Sequence, residues 1–283
     1  MDWQCQWLSL QWRRLADPQF LPPAIVAAAP GFDDAHRFLD PPPRAAAAWH
    51  SFSSGGALTR AQVGYAILFI AIMMAIFGFD RDIALAFGAM KTGQPAVIEL
   101  FKSITVLGLS KWYLWPLGLF LIGIGVMLRH RPALRPHLLS HWQSAGFLFA
   151  NLALSGLAVN VLKIIIGRPR PVLLLESGIF NDFVPFSFAS RLWSFPSGHS
   201  ATALSLALSL AVLFPRWRLP LLLFAGTIAA SRIVVTAHYL SDTMAGFGVA
   251  ALVFSGTQIY FARRGWAPFA TTHKRGNILP PQV

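Results

Sequence analysis

Cysteine is almost absent from this 283-residue chain: Cys5 stands alone. That excludes an internal disulfide framework and a cysteine metal cluster. Charge is also scarce. Charged residues make up 12% of the chain and hydrophobic residues 55%, against roughly 25% charged in an average soluble domain. The apolar residues come in long uninterrupted runs, which points to a membrane protein. Acidic residues are the rarer sign, 11 against 23 Lys and Arg, for a net charge of +12. A soluble chain so basic would suggest nucleic acid. Here the basic residues sit in short segments between apolar runs. Anionic lipid and the positive-inside rule account for them, and nucleic acid is not an expected partner.

Residues 1–60 differ from the rest. They carry Pro41-Pro42-Pro43, a Gly/Ser cluster from Ser53 to Gly56 and scattered charges. They are expected to form a flexible cytoplasmic segment, with a short amphipathic piece near Trp3 to Leu15. Six spans are expected across residues 61–262: Ala61–Phe79, Trp112–Leu128, His141–Ile166, Ser197–Phe214, Leu219–Thr236 and Tyr239–Phe261. Asp82–Leu107 is half apolar and holds Lys91, Glu99 and Lys102. It reads as an interfacial helix between the first two spans. Residues 263–283 read as a cytoplasmic tail. The fold expected is an all-α, polytopic bundle of six membrane helices. Lys and Arg are more numerous on the side that holds both termini, which places that side in the cytoplasm. For a bacterial inner membrane, the loop before Ser197 then faces the periplasm.

Three polar clusters fall on that outward side. The first is "KIIIGRPRP", with Lys163, Arg168 and Arg170. Basic residues often snorkel at span ends, so this cluster alone decides little. The second is Pro196-Ser197-Gly198-His199. Ser197 suits a helix N-cap. A helix N-terminus also binds phosphate, and Gly198 lets an anion approach the backbone. The third is "SRIVVTAHYLSD", Ser231 to Asp242. A guanidinium at Arg232 inside an apolar run costs about 2.5–3.5 kcal/mol on insertion scales, so it should face the interior and pair. His238 and Asp242 are four apart and would share one face of a helical turn. A structural hydrogen bond would explain that pair alone; an activated histidine is the alternative. Arg168 is read as a rim charge.

Taken together, cations around a helix N-terminus make a tetrahedral-anion site. Two histidines can then divide phosphoryl transfer between attack on phosphorus and protonation of the departing oxygen. No cofactor is expected: there is no carboxylate cluster to hold Mg²⁺, and the adjacent arginines and lysine would repel the dication of a zinc site built from His199, His238 and Asp242.

Lys163-x6-Arg170-Pro171, Pro196-Ser197-Gly198-His199 and Ser231-Arg232-x5-His238-x3-Asp242 resemble the three signatures of the type 2 phosphatidic acid phosphatase superfamily. The resemblance covers residues 163–242. It implies that His238 is the nucleophile forming a phosphohistidine, that Asp242 orients it, and that His199 is the acid for the leaving group. It implies that Lys163, Arg170, Ser197, Gly198 and Arg232 hold the phosphate. The segment "ITVLGLSKWYL", Ile104 to Leu114, also resembles bacterial members. The implied substrate is a phosphorylated membrane lipid: undecaprenyl pyrophosphate, phosphatidylglycerophosphate, phosphatidic acid or the 1-phosphate of lipid A. A lipid phosphotransferase would use the same residues. A transporter or lipid-binding protein would need the cations but not the His/His/Asp set.

Overall fold

The structure, a computed structural model, describes residues 60–269. All regular structure in this range is helical. The α-helices are α1 (Arg60–Gly93), α2 (Pro95–Val106), α3 (Lys111–His130), α4 (Arg135–Ile166), α5 (Pro171–Ser177), α6 (Gly198–Leu213), α7 (Arg218–Val234) and α8 (Leu240–Arg263). Short 3₁₀ turns precede α4, α6 and α7. Residues 1–59 and 270–283, with the expected N-terminal segment and most of the expected tail, lie outside the described residues.

Four stretches are long and apolar enough to cross a membrane: Pro95–His130, Pro132–Ser177, Pro215–Val234 and Leu240–Arg263. The helix Gly198–Leu213 is apolar but shorter. Large apolar side chains such as Trp115, Ile122, Leu157 and Leu252 lie exposed on the outer surface. Water would not tolerate such a surface, and lipid does.

One expected element divides differently. The segment 82–107 is not a single interfacial helix. Its first half continues α1, and the chain breaks at Gln94 before α2 starts at Pro95. Proline lacks an N–H, so it begins a helix readily and sits poorly inside one.

At 16 residues α6 falls short of these four stretches, yet it is the most enclosed helix described. It packs against α4, α7 and α8. Ala201, Ala203, Ala207, Ser200, Ser205 and Ser209 are buried along it. Such small residues let helix backbones approach closely where lipid supplies no hydrophobic drive. Polar side chains tie the seam with α4. Asn151 donates to the Ser205 carbonyl at 3.1 Å and to Ser209 Oγ at 2.7 Å, and Ser205 donates to Ser155 at 2.8 Å. After α8 the chain turns back, and Phe147 of α4 meets Phe254, Phe261 and Phe269 edge to face.

Gly167 ends α4 in the left-handed region, at φ 61°. Its carbonyl accepts from Val184 N at 2.9 Å, and a Cβ there would strike the Val184 carbonyl. Only glycine meets both demands. Gly167→Ala should lower stability by about 2 kcal/mol or more, read as a lower thermal midpoint of the purified chain in detergent. An unchanged midpoint would show that the loop yields freely.

Candidate functional site

The site is built where four helix ends meet: the C-terminal ends of α4 and α7 and the N-terminal ends of α6 and α8. Ser197 caps α6, accepting from Ser200 N at 3.4 Å. Ser197 N in turn donates to the Asp242 carbonyl at 2.9 Å, which pins this start to α8. Gly246 of α8 crosses there so closely that a Cβ would run into the Ser197 carbonyl.

The sequence-expected residues converge. A Cβ on Gly198 would sit 3.5 Å from Lys163 Nζ, so the lysine lies over the start of α6. Arg232 is 8% exposed and donates from a terminal nitrogen to Thr105 Oγ1 at 2.8 Å. Thr105 Oγ1 is 2.8 Å from Ser231 Oγ. Arg232, His238, Lys163 and Arg170 all act electrostatically on His199. Among the described residues, Lys163, Arg170 and Arg232 form no ion pair. The Nε atoms of Arg170 and Arg232 are buried without an acceptor. Such guanidinium donors suit the oxygens of an anion.

His199 borders a cleft of about 130 Å³ lined by residues including Gly108, Ser110, Gly156, Asn160 and Thr202. Gly108 has no room for a side chain. A Cβ there would lie 2.8 Å from His199 Cδ2 and from Ile228 Cγ2. The α2–α3 turn thus backs the His199 ring.

His238 lies in the turn before α8, with Tyr239 as N-cap and Asp242 in the first turn. The expectation that His238 and Asp242 share a helical turn is therefore corrected. They face each other across a helix start, 3.8 Å apart from Nδ1 to Oδ2. The closer partner of Nδ1 is the Ser194 carbonyl, at 2.7 Å. A carbonyl only accepts, so Nδ1 holds the proton and the lone pair stays on Nε2. Burial pushes the His238 pKa down to about 4, and the Asp242 carboxylate opposes that shift. The neutral imidazole thus persists well below the ordinary histidine range.

Asp242 has stronger partners than the histidine. Its Oδ1 accepts from Arg168 at 2.6 Å, and its Oδ2 accepts from Ser194 Oγ at 2.5 Å and Tyr239 N at 2.8 Å. Arg168 is not a rim charge. It is fully buried, with Asp242 on one terminal nitrogen and Asp80 of α1 on the other at 2.8 Å. Removing one partner of such a pair typically costs about 3–5 kcal/mol, because the other charge stays buried alone. Sequence reasoning passed over Asp80, Ser194 and Thr105. Asp80 stands beside Arg81 and Asp82, so nothing in the sequence marks the distant Arg168 as its partner.

Because Gly246 sets where Ser197 sits, Gly246→Ala should displace the α6 start. The expected result is a fall in activity larger than the loss of thermal stability accounts for. Wild-type turnover in that variant would show that the crossing does not position the site.

The family profile described as the PAP2 superfamily matches residues 144–266. The chain is 34% identical over 220 residues to "Lipid A 1-phosphatase" of Rhizobium johnstonii, covering 77% of this chain and 87% of that one. It is 35% identical to the protein of the same name from Rhizobium etli, covering 71% and 86%. "Phosphatidylglycerophosphatase B" of Bacillus subtilis is 30% identical, covering 62% and 80%. The profile match takes in Lys163, Arg170, Ser197, Gly198, His199, Arg232, His238 and Asp242, and with relatives 34–35% identical over most of their own length the chain belongs to the PAP2 superfamily.

Proposed function

We propose that this protein hydrolyses the phosphate of a membrane lipid through a phosphohistidine, without a metal. The observation that carries the reading is the convergence of three unpaired cations and two histidines at the start of α6, with the proton of His238 held on Nδ1. His238 Nε2 attacks phosphorus, and the bond to the lipid oxygen breaks as His199 delivers a proton to it. Water then attacks the phosphohistidine, with His199 accepting its proton, and inorganic phosphate leaves. Lys163, Arg170, Arg232, the Ser197 side chain and the Gly198 N–H surround the phosphoryl oxygens and offset the charge that builds on them. Asp242 holds the nucleophile's surroundings in place.

The names of the relatives support a lipid phosphate as substrate, and lipid A 1-phosphate is the first to test. The polar lining at Ser110, Asn160 and Thr202 beside His199 suits a hydroxylated leaving group. In this reading α1 and α6 complete a six-span bundle. Both termini are cytoplasmic, and the site opens at the outer face of the inner membrane. Acyl chains then lie along the exposed apolar surface while the phosphate enters the cationic pocket.

Purified protein should release inorganic phosphate from lipid phosphates in EDTA. His238→Ala should reduce turnover about 10³-fold or more. His199→Ala should cost about 10²–10⁴-fold on a lipid monoester and much less on an aryl phosphate, whose leaving group needs no proton. Full activity of His238→Ala, or loss of turnover on chelation, would sink the mechanism. Because His238 must be neutral to attack, phosphoenzyme formation from an aryl phosphate, which needs no proton from His199, should hold as pH falls through 6.5 and drop only toward about 4. A drop centred on the ordinary histidine range would contradict it.

A further inference from the structure

We propose that Asp80 and Arg168 are positioning residues for the nucleophile, so that α1, through Asp80, forms part of the reaction machinery. The inference rests on the phosphohistidine reading above.

Neither residue belongs to the cluster that surrounds the phosphate. Asp80 lies outside the stretch matched by the family profile. Both side chains are fully buried. The Arg168 guanidinium lies between two aromatic rings, 4.6 Å from Phe77 of α1 and 4.3 Å from Tyr239. One terminal nitrogen reaches Asp80 Oδ2 at 2.8 Å; the other reaches Asp242 Oδ1 at 2.6 Å and Ser241 Oγ at 2.7 Å. Asp80 closes the ring by accepting from Ser241 N at 3.0 Å and from the Ser241 hydroxyl. The start of α8 is thus clamped to α1 both directly, through Ser241, and through the Arg168 cation.

The consequence runs to the histidine in fixed steps. With Oδ1 of Asp242 taken by Arg168, Oδ2 is turned toward Ser194 and His238. Oδ2 anchors the Ser194 hydroxyl, and the carbonyl of that same residue accepts the Nδ1 proton of His238. Asp80 therefore sets Arg168, Arg168 sets the Asp242 carboxylate, and Asp242 sets Ser194 and the ring. A lysine could not replace Arg168. An ammonium is a point donor, whereas this site needs a planar fork that spans two carboxylates. Arg168 also precedes Arg170 by two residues across Pro169. The same short segment that carries a phosphate ligand thus carries the clamp on the nucleophile's carboxylate.

The test uses the full chain in detergent, with lipid phosphate as substrate and His238→Ala as reference. Asp80→Asn keeps the shape and removes one charge. It should lower kcat about 10- to 100-fold, the loss typical when a group that orients a metal-bound histidine or carboxylate is removed. KM should stay within about twofold, since the phosphate ligands are untouched. Arg168→Lys should lose at least as much. The acid limb of the pH profile gives a readout that folding alone would not move. His238 is faced by Asp242, Arg232 and Arg170, and it couples to His199. Losing the Asp80 charge leaves Arg168 less compensated, so the limb should move to lower pH. Losing the Arg168 charge in Arg168→Met should move it to higher pH. Opposite shifts support the proposal. Wild-type kcat in Asp80→Asn overturns it. So does a loss that merely tracks the folded fraction with the limb unmoved. If His238→Ala stays active, the phosphohistidine reading fails; if only Asp80→Asn stays active, the positioning role alone fails.

Discussion

A guanidinium with no exposed surface, gripped by two carboxylates from different helices, is the constraint on which this site depends. Arg168 belongs to the Gly167–Pro171 segment, Asp80 to α1 and Asp242 to α8. In a low-dielectric interior each of these charges alone would be costly. Together they hold one another, and the arrangement that satisfies all three brings the start of α8 against α1. The Ser194 carbonyl and the His238 ring follow from that arrangement, because each is bonded to a group already fixed.

The second constraint is steric. Gly246 and Gly108 mark places where a backbone passes a neighbour with no room for a methyl group. One sets the start of α6 against α8; the other sets the α2–α3 turn against His199. The buried Ala and Ser positions of α6 extend the same principle along the bundle. Close approach makes a rigid frame, and a rigid frame lets Lys163, Arg170 and Arg232 stay near one another despite mutual repulsion. Buried guanidinium donors at Arg170 and Arg232 remain unmatched.

Much of the site was legible before any coordinates. Chain-local features announced themselves: Ser197 as a cap and Arg232 as a cation that could not face lipid. The membrane character followed from composition and run length. Other features were misread because they depend on distant segments. Arg168 looked like a surface charge, since its partner Asp80 lies 88 residues away. His238 and Asp242 looked like neighbours on one helical turn, but the helix begins between them. The interfacial helix expected over 82–107 failed at Pro95, a signal present in the sequence and given too little weight.

The sequence by itself determined the class of molecule, the helical period and the chemical identity of the groups gathered at the start of α6. Those are properties of residue type and short spacing, where chain connectivity keeps the relevant atoms close. Only the tertiary structure decided which carboxylate serves which cation, which nitrogen of His238 keeps its lone pair, and that α1 contributes to the site. Those outcomes are set by hydrogen-bond geometry between segments far apart in the chain. A difference of about 1 Å separates a partner from a bystander, and no pattern of residue types encodes it.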